Sequence, residues 1–255
     1  MAYFQGSVRS HVLELDTNIN VVLPYDYYDA EGNPGKYDKV LYLLHGLKQN
    51  ADAWPRYSGA ERFANYYGYA LVFPEVSRFW YADLPEGTRY FTYITEELPQ
   101  IVHNLFKLPI GRENTFVGGL SMGGYGALKC ALRRPDRYAG AMCFSSGFYA
   151  LNDPQWLNRI YHPLGELKSI MGEELQVRDE DNIDAMIRDF PADAEKPRLY
   201  LACGTEDPLY HFSVRARDTL QQNGFDLTWE QWPGGHDWTF WDAALDKGMK
   251  LFADR

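Results

Sequence analysis

Gly119-Leu120-Ser121-Met122-Gly123 follows the apolar run Thr115-Phe116-Val117 and leads into a helix-like segment over residues 125–132. Read together, these residues predict a strand, a sharp turn with a serine at its apex, and a helix. A turn this tight needs glycine on both sides of the serine, because the backbone takes unusual angles and passes close to its neighbours. It holds the hydroxyl clear of its own backbone. The Met122 amide and the start of the following helix then point where negative charge would develop on an attacked carbonyl.

A serine hydroxyl is a poor nucleophile at neutral pH, so this reading requires a histidine to take its proton and a carboxylate to orient that histidine. Where such an elbow is catalytic, the chain order is serine, then Asp or Glu, then His. Two downstream segments fit. Arg198-Leu199-Tyr200-Leu201-Ala202-Cys203 reads as a buried strand ending in Gly204-Thr205-Glu206-Asp207-Pro208, which puts a carboxylate just past the strand's C-terminal edge. From the residues alone, either Glu206 or Asp207 could reach the base. Leu227-Thr228-Trp229-Glu230-Gln231-Trp232 alternates as a strand does and runs into Pro233-Gly234-Gly235-His236-Asp237-Trp238, placing His236 on a glycine-rich loop before a final helix. The other histidines have plainer readings: His11 in an edge strand, His103 on a helix face, His162 before a proline, His211 at a helix start, and His45 shaping a turn.

Working outward, residues 12–15 and 19–23 read as an opening antiparallel pair around the polar turn 16–18, and 29–35 as a surface loop. Val40-Leu41-Tyr42-Leu43-Leu44 is continuously apolar, the signature of a strand covered on both faces, and 70–73, 116–117, 141–144 and 199–202 repeat it. Helix-like segments lie between them at 61–67, 93–106, 125–132 and 214–223. Alternating β and α segments predict an α/β fold, a mainly parallel sheet with helices on both faces, whose site gathers at the strands' C-terminal edge. The whole chain, 1–255, reads as one domain. Residues 148–197 break the repeat. They carry Trp156, Tyr161, the charged run Arg178-Asp179-Glu180-Asp181 and an amphipathic stretch over 183–187, and they read either as a cap roofing the site or as a helical excursion with a solvated acidic face.

The formal net charge of −10 opposes binding to nucleic acid or to anionic membranes, whose charges it would repel. No apolar run approaches the ~18 residues of a spanning helix, and the first residues lack the pattern of a signal peptide, so the cytoplasm is the expected compartment. Cys130, Cys143 and Cys203 are widely spaced among apolar neighbours, which suits buried side chains rather than a disulfide framework or a zinc site. The acidic run lacks an ordered calcium loop, so neither metal nor cofactor is expected. Aromatic residues make up 16% of the chain, and Trp54, Trp80, Tyr81, Trp156, Trp238 and Trp241 fall in segments expected near the catalytic edge. Aromatic faces suit sugar rings and aryl acyl groups, and Trp54, Trp80, Trp156 and Trp238 are the candidate substrate-binding residues.

His45-Gly46-Leu47, Gly119-Leu120-Ser121-Met122-Gly123-Gly124-Tyr125-Gly126-Ala127, Gly204-Thr205-Glu206-Asp207 and Gly235-His236-Asp237-Trp238 together resemble the α/β-hydrolase esterases of the esterase D group. Within that group the chain most resembles the tributyrin esterase and acetylesterase branch, which includes feruloyl esterases. The resemblance covers nearly the whole chain. It implies a triad of Ser121, Asp207 and His236, with an oxyanion hole from the amides of Leu47 and Met122. It also implies hydrolysis of acetyl or feruloyl esters, of sugars or plant-polysaccharide fragments, without a cofactor. The S-formylglutathione hydrolase branch carries histidine where this chain has Leu120 and Tyr125, which argues against that thioester. A thioesterase of the S-formylglutathione hydrolase type, acyl transfer to an alcohol and a non-catalytic carbohydrate-binding scaffold are the three alternatives, and a homo-oligomer stays open.

Overall fold

The computed structural model describes residues 1–24, 37–160 and 163–253. The stretch 29–35, Tyr161 and His162 lie outside the described residues. Eight strands form one sheet in the order β1-β2-β4-β3-β5-β6-β7-β8. They are β1 (Ala2–Ser10), β2 (Leu15–Leu23), β3 (Lys39–Leu44), β4 (Tyr69–Pro74), β5 (Thr115–Leu120), β6 (Gly140–Phe144), β7 (Arg198–Gly204) and β8 (Leu227–Trp232). β1 and β2 pair antiparallel and β2 joins β4 antiparallel, whereas every pairing from β4 through β8 is parallel. The parallel core strands are the continuous apolar runs of the sequence.

Alternation along those strands builds two cores rather than one. Val40, Tyr42 and Leu44 of β3, Val117 of β5 and Leu199 and Leu201 of β7 face one layer; Leu41 and Leu43, Phe116 and Tyr200 face the other. Between the strands run α1 (Ala53–Tyr57), α2 (Ala60–Tyr67), α3 (Tyr90–Thr92), α4 (Leu98–Phe106), α5 (Met122–Arg133), α6 (Pro154–Arg159), α7 (Leu164–Met171), α8 (Ile183–Arg188), α9 (Tyr210–Gln222) and α10 (Trp238–Ala253). Helices α4, α5 and α9 cover the first face and α2 and α10 the second. This two-sided cover is what lets fully apolar strands exist, since each face has a partner.

Two local readings change. The opening hairpin is displaced from its expected place: β1 is Ala2–Ser10, residues 12–15, expected as the first strand, fall in the turn 11–14 and at the start of β2, and Asp16-Thr17-Asn18, expected as the turn, lies inside β2. The Glu97 carboxylate sets that turn, accepting from the Ser10 hydroxyl, from the His11 amide at 2.7 Å and from the Val12 amide. Glu97 ends a single π turn (Tyr93–Glu97) that joins α3 to α4, a local widening of the kind that re-aims side chains. The charged run in 148–197 is also not a simple solvated face. Asp181 is buried and paired with Lys129 and Arg178. All three cysteines are free and buried. Among the described residues no helix is long and apolar enough to cross a membrane.

Candidate active site

The serine, the acid and the histidine each sit just past the C-terminal end of a parallel strand. Ser121 follows β5 with φ 56° and ψ −117°, a conformation that L residues avoid. Its amide donates to the Phe144 carbonyl at 2.9 Å, and its own carbonyl accepts from Tyr125 and Gly147. The glycines around it serve space. A Cβ at Gly123 would lie 2.2 Å from the Leu44 carbonyl oxygen, and one at Gly119 would lie 2.4 Å from the Gly123 oxygen. The left-handed angle falls on the serine itself, so its hydroxyl stands out from a turn pressed against β3.

The loops after β7 and β8 are pressed together in the same way. Gly204 packs against the Gly234 carbonyl, which a Cβ would meet at 2.1 Å, and the Glu206 amide donates to that carbonyl at 3.1 Å. This contact turns Glu206 outward to solvent and Asp207 inward. One Asp207 oxygen accepts from the Leu209 amide at 2.8 Å; the other accepts from His236 Nδ1 at 2.9 Å. With its proton on Nδ1, the imidazole presents Nε2 as an acceptor, and Ser121 Oγ lies 3.0 Å from it. The acid side chain is fully buried while the imidazole is partly exposed. Serine, histidine and aspartate therefore form one continuous hydrogen-bonded relay, open to solvent at the serine end.

Leu47 belongs to a turn after β3 closed by the Gln49 amide on the Gly46 carbonyl at 3.1 Å and by the Gly46 amide on Gln49 Oε1 at 2.8 Å. Met122 opens α5, directly after the serine. His45 is a structural partner. Its Nδ1 lies 2.8 Å from the Gly46 carbonyl oxygen, and its Nε2 lies 3.2 Å from the Val76 amide nitrogen and 3.4 Å from Glu75 Oε1. Burial alone would push the Glu75 carboxyl up. The adjacent imidazole and the amides of Ser77 and Ala51 outweigh it and hold that carboxyl below the usual carboxylate range.

A cavity of about 270 Å³ opens over Ser121 and His236. Gly46, Leu47, Lys48 and Gln49 form one wall, Leu120 lies beside the serine, and Ile160 and Trp241 complete it. A larger groove of about 680 Å³ runs along the β8 edge past Trp229 and Trp232. Its lining carries no serine, cysteine or histidine, and its one amine, Lys247, is ion-paired with Glu230 at 3.0 Å, so chemistry selects the smaller cavity.

The four candidate tryptophans do not line that cavity. Trp54 is 1% exposed and donates its indole N–H to the Leu44 carbonyl, and Trp80 is 3% exposed, edge-on to Tyr125. Both are core residues rather than cavity lining, which corrects the sequence expectation: Trp54 lies in α1 and Trp80 in the loop after β4, and burying so large a ring removes much apolar surface from water. Trp238 is half-buried between Trp54 and Trp241, and Trp156 is half-buried edge-on to Phe212. Trp241 instead stands edge-to-face with His236 at 4.9 Å. The sequence already sets Trp241 among the aromatic residues near the catalytic edge, though not among the four candidates. Ile160 and Gln49 had no signal, because nothing in a lone aliphatic or amide residue marks a cavity wall.

The chain matches the family described as "Putative esterase" over residues 10–252. It is 30% identical to an acetyl esterase of Caldicellulosiruptor saccharolyticus across 96% of each chain. Among solved structures it is similar to FphF, a fluorophosphonate-binding serine hydrolase of Staphylococcus aureus, with TM-score 0.88 and 29% identity over 100% of this chain and 99% of that one. It is likewise similar to the S-formylglutathione hydrolase FrmB of the same organism, with TM-score 0.86 and 31% identity over 99% of both. The chain thus belongs to this esterase family, in its esterase D-like group, and is a carboxylic ester hydrolase with the α/β-hydrolase fold.

Proposed function

We propose that this esterase removes short acyl groups, acetyl foremost, from small alcohols and sugars through an acyl-enzyme on Ser121. The observation that carries the proposal is the relay of 3.0 Å and 2.9 Å hydrogen bonds opening into a cavity of only about 270 Å³. Ligand pockets commonly run ~300–1,000 Å³, so this one suits a small acyl group. In the reaction, Ser121 Oγ attacks the ester carbonyl as its proton passes to His236 Nε2. Asp207, dry and held by the Leu209 amide, fixes the tautomer and stabilises the imidazolium without taking the proton. The amides of Leu47 and Met122 stabilise the developing oxyanion. The alcohol leaves with the Nε2 proton. Water, deprotonated by the same nitrogen, then attacks the acyl-enzyme, releasing the acid and restoring the serine. Ile160 in the wall supports reading 148–197 as a cap over the acyl site.

The similarity to FrmB favours one second reading, hydrolysis of an S-formyl thioester, whose acyl group is smaller still. Tyr125 does not touch the cavity; its hydroxyl donates to the Asp181 carbonyl from within the core. The difference at Leu120 does bear on substrate, because Leu120 lines the cavity and offers no polar contact. The test is kcat/KM on p-nitrophenyl acetate, butyrate and octanoate, acetylated xylo-oligosaccharide, methyl ferulate and S-formylglutathione. Highest values for acetate and butyrate are expected. A preference for octanoate or methyl ferulate contradicts the short-acyl reading, and a dominant S-formylglutathione rate replaces it with the second.

A further inference from the structure

Behind the oxyanion turn lies a buried polar chain that the proposed chemistry does not use. Lys129 of α5 is 1% exposed. Its ammonium pairs with Asp181, donates to the Tyr81 carbonyl at 3.0 Å and lies 4.9 Å from the centre of the Phe91 ring. Asp181 comes from the 148–197 insertion and is held in turn by Arg178 Nε and Nη2 at 2.9 and 2.6 Å. Burying two charges opposes folding unless geometry and hydrogen bonds compensate, and such pairs are best attested where they fix one arrangement among several.

What this pair fixes is Tyr81. Tyr81, Trp80 and Ser77 all take positive φ, 53°, 52° and 53°, three non-glycine residues in one loop. Strain of this kind persists only where the surroundings over-determine it. The Tyr81 ring is fully buried against Gly126, where a Cβ would come within 2.4 Å of it. Its hydroxyl donates to the His45 carbonyl at 2.8 Å. That carbonyl belongs to the peptide one before the one carrying the Leu47 amide.

We propose that Tyr81 is a positioning residue for the oxyanion hole, and that the insertion sets its place through Asp181 and Lys129. This rests on the reading of Leu47 as an oxyanion donor. The Tyr81 hydroxyl holds the 45–46 peptide at its carbonyl and Gln49 Oε1 holds it at the Gly46 amide, while the His45 ring, itself fixed by the Val76 amide, holds the next peptide at the Gly46 carbonyl, so the Leu47 amide is aimed before substrate arrives. Such aiming matters in the transition state and little in the ground state, because the donor meets full negative charge only there.

The test compares wild type, Tyr81→Phe, Asp181→Asn and Ser121→Ala on p-nitrophenyl acetate, with inhibition by a trifluoromethyl ketone that adds to the serine as a tetrahedral mimic. Tyr81→Phe keeps the ring and its packing. It is expected to lower kcat by roughly 10- to 100-fold, less than outright loss of an oxyanion donor, with KM within about twofold and the ketone's Ki raised by a similar factor. Asp181→Asn should move kcat and Ki in the same direction by a smaller factor, and it carries the test should Tyr81→Phe not fold. If wild type is active, Ser121→Ala is not, and Tyr81→Phe keeps kcat and Ki within about twofold, the positioning role is overturned while the esterase reading stands. If Asp181→Asn lowers only the melting temperature, the insertion's part is overturned. A wild-type rate unchanged in Ser121→Ala sinks the esterase reading and this proposal with it.

Discussion

Ser121 bears a backbone conformation that costs of order 1–3 kcal/mol in a non-glycine residue. The same strain lifts its hydroxyl toward His236. Glycine at this position should therefore abolish activity and yet raise the unfolding free energy by about 1 kcal/mol over Ser121→Ala, which keeps the Cβ and the strain. Chemical denaturation of the two inactive variants measures this directly; equal stabilities would mean the conformation is not strained. Asp207 and Glu206 are neighbours of opposite fate. Asp207→Asn would present an amide to Nδ1 and favour the wrong tautomer, so kcat should fall by about 10⁴-fold, whereas Glu206→Gln, at an exposed position, should stay within about twofold. The reverse pattern would move the acid to Glu206. The serine and histidine were legible from residue type and chain order. The choice of acid was not, because it depends on which carboxylate the Gly204–Gly234 contact turns inward.

The elbow works as an element only because β5, α5 and the end of β3 come within backbone contact. Gly123→Ala would drive a methyl into the Leu44 carbonyl, and the expected cost is about 1–3 kcal/mol together with most of the activity. A variant of wild-type stability and rate would show that the turn can open without harm. The loop after β4 carries a pH signature. Glu75 has its carboxyl lowered on folding, so it contributes stability that is fully present above its unfolded value near 4.5 and is lost as pH falls through its lower folded value. Glu75→Gln should therefore be less stable than wild type at neutral pH, and the gap should close on acidification; urea midpoints followed downward from neutral pH test this. A gap that stays constant would mean Glu75 is not held low. The core strands were readable because both of their faces are covered. β1 was not, because it is a mostly exposed edge strand, and its turn is set by Glu97, which lies 86 residues from His11 in the chain.

At the scale of the whole molecule, the α/β alternation gave the sheet's architecture and the convergence of the loops that follow β3, β5, β7 and β8. The insertion was the least legible part. A run such as Arg178-Asp179-Glu180-Asp181 looks solvated until Lys129, some fifty residues earlier in the chain, is known to lie beneath it. The tryptophans misled for a related reason: burying so large a ring removes much apolar surface from water, in a helix and a loop alike. Removing one member of the buried pair leaves the other charge uncompensated, so Lys129→Met should cost on the order of 3–5 kcal/mol, whereas the double change Lys129→Met with Asp181→Asn should recover part of it. Additive losses in a thermal-denaturation cycle would show that the two do not act as a pair. In the proposed reaction Ser121 carries the acyl group, and intact-protein mass spectrometry on enzyme acid-quenched during turnover of p-nitrophenyl acetate would catch it there. A species heavier by one acetyl group, mapped to Ser121 and missing from Ser121→Ala, is the result expected; turnover at full rate with no acetylated species, or with the acetyl group on another residue, would contradict it.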